Sequence, residues 1–219
     1  VSAQTAPDAV VILISGRGSN MRALIEHSLA ADSPYRVSGV LADRPAGGLE
    51  VARDFGISTQ ILAPHTTDRA AYERELAAAV GALSPALVAL AGFMRVLSAP
   101  FVQAFEGRIM NIHPSLLPRY AGLHTHRRVL AAHDAEHGAT VHFVTETLDA
   151  GPAILQSRVA VMPGDSEAEL AARVLETEHR MYFRAVRWFC EHRLTCAGGR
   201  AWFDGRALSA PLQLADVGK

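Results

Sequence analysis

The chain has 219 residues, 49% apolar and 20% charged, which suits one large globular domain with a real core and leaves little room for a regulatory module. A formal net charge of -1 supplies no basic surplus for nucleic acid or an anionic membrane surface, although a local positive pocket can sit within such a balance. No apolar run approaches the roughly 20 residues of a membrane-spanning helix, and the first eight residues lack the pattern of a secretory signal. Two cysteines, Cys190 and Cys196, are too few for a disulfide scaffold and are not spaced as Cys-x-x-Cys, so a cytoplasmic protein with reduced thiols is expected.

Residues 1–8 read as a mobile arm. Residues 10–14 form an unbroken apolar run, the signature of a parallel strand buried on both faces. The loop from Ser15 to Asn20 then turns into a helix carrying Met21, Leu24, Ile25 and Leu29. Strand, glycine loop and helix together aim backbone N–H groups and a helix amino end at an anion, or else make only a tight turn. The loop lacks the third glycine of a dinucleotide fingerprint and the lysine of a P-loop, so a single phosphate on a small ligand suffices. A second strand is expected at 35–41, a helix at 48–55 and a short strand at 59–62. Asp68 can cap a helix bearing Ala71, Leu76 and Val80, with Arg69, Glu73, Arg74 and Glu75 as its polar side. Arg69 stands near the helix start, where the dipole gives a cation no support.

A further strand at 86–91 runs into Gly92, which lets backbone approach a ligand. Met94, Val96 and Leu97 are open between core packing and an apolar wall for a flat heterocycle. Residues 109–112 read as a strand stopped by Pro114, with Asn111 and His113 on one face and Met110 and Ile112 on the other. An amide and an imidazole thus meet at the carboxyl end of a strand, where open α/β sheets bind ligands. His124 and His126 lack the third partner a metal site needs, and no metal is expected. A helix at 127–132 precedes a strand at 138–145, on which Val141 and Phe143 share one face and His142 and Val144 the other. Residues 146–152 form a loop bounded by breakers, from which an acid can approach a site from outside the strand, and 154–161 return as an antiparallel or edge strand. Ser166 and Glu169 spell a capping box for the clearest helix. Its stripe comprises Leu170, Val174, Leu175, Met181, Tyr182, Ala185, Val186 and Phe189. Glu178 falls on or beside that stripe and is either a boundary residue or a ligand contact. Residues 200–206 suggest a closing hairpin and 208–219 a poorly specified tail.

Several segments, in order along the chain, carry a resemblance. They are Gly16-x-Gly18-Ser19-Asn20, Leu90-Ala91-Gly92-Phe93-Met94-Arg95, Asn111-x-His113-Pro114-Ser115-Leu116-Leu117-Pro118, Gly122-Leu123-His124-Thr125-His126, His142-Phe143-Val144-Thr145 and Leu148-Asp149-Ala150-Gly151-Pro152. Together they resemble the phosphoribosylglycinamide formyltransferase family, folate-dependent enzymes of purine synthesis. The resemblance implies a Rossmann-like α/β fold, a mostly parallel seven-stranded sheet with helices on both faces. It implies a single domain at 9–207, with a nucleotide-binding half at about 9–105 and a catalytic and folate-binding half at about 86–207. By the same resemblance Gly18, Ser19 and Asn20 hold the phosphate of glycinamide ribonucleotide and Glu178 touches that substrate. Arg69 lies near the glutamate tail of the folate, while Met94, Arg95, Val96, Leu97, Asn111, Thr145 and Asp149 contact 10-formyltetrahydrofolate. Leu175 stands where relatives often carry glutamine.

The reaction so implied needs an amine to attack a formyl carbon, a donor for the resulting oxyanion, and a path for the amine proton. Asn111 can donate to that oxygen. His113 can exchange a proton or stabilise the oxyanion as imidazolium. Asp149 enters this trio through the resemblance and can orient the imidazole or help deprotonate the amine. The alternatives are formyltetrahydrofolate deformylase, with water replacing the amine, or a non-catalytic nucleotide- or folate-binding module. The deformylase normally carries an additional N-terminal domain, whereas here the first strand starts by Val10. The tRNA-directed relatives usually carry a C-terminal nucleic-acid-binding barrel, and the residues after the Ser166 helix lack its length and basic character. Neither nucleic acid nor membrane is expected as a partner, and a homodimer is left open.

Overall fold

Residues 6–64 and 68–217 are described in a computed structural model, so most of the expected arm and the last two residues of the tail lie outside the described part. Asp8 already belongs to a strand. The first apolar run forms β1 (Asp8–Ile14), fully buried from Val10 onward as a strand covered on both faces requires. The glycine loop leads into α1 (Ser19–Ser28), followed by β2 (Tyr35–Ala42), α2 (Gly47–Asp54) and β3 (Thr59–Ile61). Leu29, expected within this helix, lies just past its end as the C-cap and is exposed. The Ser28 hydroxyl bonds back to Ile25 O there, one of the local bonds that compete with helix continuation.

Asp68 caps α3 (Arg69–Ala82), its carboxylate accepting from the N–H groups of Ala70 and Ala71 at 2.9 and 3.1 Å. Glu73, expected on the polar side of this helix, is instead buried, because Arg69 and Ser98 both donate to it. After β4 (Leu87–Leu90) comes α4 (Ala99–Ala104), a short helix not anticipated from apolar periodicity; its signal was Ser98 followed by Pro100 in the first turn. Then follow β5 (Ile109–His113), α5 (Thr125–Ala131), β6 (Glu136–Phe143), β7 (Ala153–Ala160) and α6 (Glu167–Cys190). The capping box forms: Ser166 Oγ accepts from Glu169 N, and the Glu169 carboxylate accepts from Ser166 N. The chain continues through β8 (Leu194–Ala197), β9 (Arg200–Phe203), β10 (Arg206–Ala207) and β11 (Leu212–Gln213).

The main sheet has eight strands in the order β11-β7-β6-β5-β4-β1-β2-β3, one more than expected. The extra strand is β11, from the segment read as a tail. It pairs parallel to β7 through Leu212 and Gln213, a run too short to show alternation. The strand at 153–160 is antiparallel to β6, as anticipated, and is paired along its other edge at Leu155 and Gln156. Only β6 opposes the common direction. The expected hairpin at 200–206 gains β8 and becomes a separate three-stranded sheet.

Alternate residues of β1 feed two cores. Val10, Ile12 and Ile14 pack with α1, α2 and α6, whereas Val11 and Leu13 pack with α3 and α4, so helices cover both faces. On α6 the stripe from Leu170 to Val186 is buried, apart from a half-buried Leu175; Trp188 and Cys190 join it near the end, and Phe189 is half-buried. All five strands from β1 to β5 point their carboxyl ends the same way, and the sequence order reverses between β1 and β4. That reversal point collects the loops after β1, β4 and β5.

The β6–β7 pairing depends on Gly138, where a Cβ would stand 1.9 Å from Ser157 O and 2.9 Å from Leu116 Cδ2. Gly138→Ala should destabilise the protein by about 2 kcal/mol or more. Urea unfolding of the purified variant checks this; a midpoint unchanged from the parent would contradict the pairing.

Candidate active site

A cavity of about 550 Å³ opens at the carboxyl ends of β4 and β5, bounded by residues 122–126 and 144–149. Asn111 and His113 face it from β5, as period two requires, while Met110 and Ile112 enter the core behind them. Asp149 reaches it from the loop after β6 with a positive φ of 51°. The three residues expected to carry the chemistry therefore meet in one place. His113 Nδ1 lies 3.4 Å from Asp149 Oδ2, and the same carboxylate oxygen accepts from Gly122 N at 2.8 Å. His113 Nε2 donates to Tyr120 O at 3.0 Å. A proton arriving on this ring thus finds an acceptor on either side.

His142 completes the cluster and was not anticipated as a site residue. It lies opposite Asn111 in the β5–β6 register, beside a bulge that leaves Ile154 of β7 unpaired. Bulges of this kind re-aim side chains. Its Nδ1 is 2.9 Å from Phe143 O, which can only accept, so Nδ1 carries the ring proton. Burial lowers the His142 pKa and keeps the ring neutral. Nε2 is then a bare acceptor, and Asn111 Nδ2 donates to it at 3.1 Å. The amide is held with its NH₂ inward, and its second N–H is left for the cavity. Asp149 Oδ1 lies 3.8 Å from the same His142 nitrogen.

The loop after β4 forms one wall. Met94, Val96 and Leu97 all line the cavity; the first two are exposed, whereas Leu97 is buried and also belongs to the core cluster of Tyr72 and Phe101, so it serves both readings. Thr145 lines the opposite side, its hydroxyl donating to Thr147 O at 3.3 Å. Behind the wall a second hollow of about 390 Å³ is bordered by Arg44, Arg69 and Arg95. Arg69 folds back onto Glu73 at 2.7 Å and Val96 O at 2.5 Å, which accounts for a cation at a helix start. Arg95 lies over the Tyr72 ring and 3.0 Å from Asp43, which also pairs with Arg44. Burial alone would raise the Asp43 pKa, but bonds from Arg44, Ser15 and Arg95 outweigh it and hold the carboxyl below its usual range.

The glycine loop adjoins this wall: Ser15 Oγ accepts from Met94 N at 2.8 Å, and Ser15 N donates to Gly92 O at 3.0 Å. Gly18 is the N-cap of α1 with φ 73°, and a Cβ there would press on Met21 and Gly48. No acidic side chain of α1 occupies its first turn. Asn20 is buried, and its Nδ2 donates to Glu178 Oε2 at 2.6 Å while its Oδ1 has no partner among the described residues. Glu178 is therefore a buried residue tied to the loop, and not a boundary residue reaching solvent; burial raises its pKa. Gly18, Ser19, Asn20 and Glu178 do not line the 550 Å³ cavity; they form an adjoining polar site joined to it through Ser15.

Comparison with known proteins decides the family. Residues 8–186 match the model of the family described as formyl transferase. The chain is 48% identical over 201 residues to the phosphoribosylglycinamide formyltransferase of Escherichia coli (strain K12), covering 91% of this chain and 95% of the relative. The chain belongs to the phosphoribosylglycinamide formyltransferase family. The structure of that enzyme from Coxiella burnetii superposes with a TM-score of 0.88 at 39% identity, covering 94% of this chain and all of the other. The Brucella melitensis enzyme gives 0.81 at 46% identity, covering 84% of this chain and 96% of the other.

In this formyltransferase His124 and His126 both line the cavity. His124 is the exposed N-cap of α5, while His126 Nδ1 pairs with His137 Nε2 at 2.9 Å. Among the described residues no group of three or more His, Cys, Asp or Glu side chains is placed to hold a metal ion. Among them, too, no helix is long and apolar enough to cross a membrane.

Two buried ionisable groups set opposite pH trends. Burial, helped by His126, pushes His137 down to about 4. Its neutral form stabilises the fold fully above pH 6.5, and that stability should drain away as pH falls from 6.5 toward 4. Glu178 has the reverse sign: its raised pKa gives stability that is complete below about 4.5 and is lost as pH rises through the folded value. Glu178→Gln should therefore raise the neutral-pH melting temperature, and His137→Phe should flatten the acid limb. Thermal melts from pH 4 to 8 on both variants check the two signs.

Proposed function

We propose that the chain transfers the formyl group of 10-formyltetrahydrofolate to the glycyl amine of 5-phospho-β-ribosylglycinamide, a step of de novo purine biosynthesis. The observation that carries this reading is the Asn111 amide, fixed by neutral His142 so that one N–H remains for an oxygen in the cavity, with His113 and Asp149 beside it. The cavity accepts a flat heterocycle between the Gly92–Leu97 backbone and the 144–149 loop, with apolar Met94 and Val96 against its face. The hollow with Arg44, Arg69 and Arg95 suits the carboxylates of a glutamate tail. Gly18, Ser19 and the backbone of Asn20 offer the amino end of α1 to a phosphate, and Glu178 offers a buried carboxyl to ribose hydroxyls. With Leu175 in place of glutamine, Glu178 and Asn20 supply the polar contacts that α6 and α1 make to the nucleotide.

Amine and formyl carbon meet where Asn111 faces the cavity. As the amine attacks, negative charge grows on the formyl oxygen, and the second N–H of Asn111 stabilises it without reorganisation. Asp149, directly or through water, receives the proton the attacking nitrogen sheds. His113, tied to the same carboxylate, adds positive charge beside the oxyanion or returns a proton to the departing nitrogen. The intermediate collapses, leaving the formyl group on the glycyl nitrogen and tetrahydrofolate as the second product. No covalent intermediate on the protein is needed, since holding two substrates in contact removes much of the entropic barrier.

Folate turnover should require glycinamide ribonucleotide and yield one formylated product per folate; equal turnover without the amine would establish the deformylase reading, and binding without turnover the non-catalytic one. Asn111→Ala and His142→Phe should each lower kcat by roughly 10²-fold with smaller changes in KM. If His142 acts through Asn111, the double variant should lose little more than either single one. Full additivity in that cycle would separate the two residues. Asp149→Asn should lower kcat comparably, and stopped-flow single turnovers place that loss in the chemical step.

A further inference from the structure

Tyr182 is buried at the middle of α6, and its hydroxyl lies 3.0 Å from both Leu90 O and Met110 O. These carbonyls belong to adjacent parallel strands, β4 and β5, at the point where Leu90 stands in register with Asn111. Leu90 is the last residue of β4 before the wall loop, and Met110 immediately precedes Asn111. Leu90 and Asn111 both line the cavity, so the hydroxyl sits directly behind its floor.

The other three tyrosines do nothing comparable. Tyr35 of β2 donates to a single helix carbonyl, Leu24 O of α1, Tyr120 donates to Asp134 Oδ2, and the buried Tyr72 hydroxyl has no partner among the described residues. A phenylalanine would fill the same apolar volume at 182, so packing does not call for the oxygen. One phenolic proton shared between two carbonyls links the strands from the helix side and resists any change in their spacing. Glu178 lies one helical turn earlier, on the same face of α6, and holds Asn20 of the glycine loop. A single turn of α6 thus references the nucleotide loop and the catalytic strand to one another.

We propose that the Tyr182 hydroxyl is a positioning group for formyl transfer, fixing the distance between the strand that ends in the folate wall and the strand that carries Asn111. The inference rests on the formyl-transfer reading above. Tyr182 touches no reacting atom; it acts through the Leu90 and Met110 carbonyls. Small misplacements of oriented groups reduce the chemical rate while leaving binding intact.

The test compares Tyr182→Phe with Val186→Ala, a core truncation one turn further along α6, in steady-state assays with both substrates well below the melting temperature. Tyr182→Phe should lose kcat by roughly tenfold, the size of one lost hydrogen bond, with both KM values within about twofold of the parent. Val186→Ala should lose at least as much thermal stability and keep the parental kcat. Parental kcat in Tyr182→Phe overturns the inference, as does a loss in Val186→Ala that matches it. Inactivity of the parent enzyme with both substrates would instead defeat the formyl-transfer reading. If Tyr182→Phe does not fold, 3-fluorotyrosine placed at 182 keeps the ring and hydroxyl. Its ¹⁹F resonance should then shift on saturation with tetrahydrofolate, and an unmoved resonance overturns the inference.

Discussion

The site depends on a hydrogen bond whose direction is dictated three atoms away. Phe143 O can only accept, so His142 Nδ1 must donate; the buried ring is neutral, so its other nitrogen must accept; and Asn111 must therefore present N–H and not C=O. An unconstrained asparagine amide could offer the wrong end to a developing oxyanion at little cost. Here a reversed amide would set oxygen against the imidazole lone pair, in a buried setting where mismatched polar groups are expensive. Everything else in the cleft is arranged around an amide that can face only one way. The antiparallel direction of β6 serves this end by placing His142 opposite Asn111.

Asp149 organises the other half. Its carboxylate faces His113, His142 and the Gly122 N–H together, so the loop after β6 and the loop after β5 are closed on one another through a single side chain. Two loops thereby share one electrostatic anchor. Ser15 makes a comparable link on the opposite side, joining the glycine loop to the wall after β4. The cavity and the adjoining polar site thus rest on a common sheet and share this link.

Much of this was legible in the sequence because it follows from short-range rules. The buried run at 10–14, the cap at Asp68, the capping box at Ser166 and the shared face of Asn111 and His113 each need only local periodicity or a neighbouring side chain. Asp149 and Glu178 came from resemblance, and the fold shows why pattern alone stops short. Asp149 is brought in by a loop with left-handed backbone, and Glu178 is aligned by a partner 158 positions away. His142 was visible as a polar residue in an apolar strand, but its role depends on cross-strand register, which β6 reveals only once paired with β5. Glu73 was misread for a similar reason: on its own helix it is an ordinary charged residue, and its burial is created by Ser98 from the far side of β4. The strand at 212–213 is shorter than any period that could announce it.

That last strand has a consequence for the sheet as a whole. Without it β7, eight residues long, would run along the margin with a row of unsatisfied amides and carbonyls. With it, the sheet is bounded by a two-residue strand at one side and the three-residue β3 at the other. β11 pairs with β7 only at Leu155 and Gln156, and β3 with β2 only from Val40 to Ala42, so each rim is broken into short stretches, a poorer template for edge-to-edge association than one long open strand.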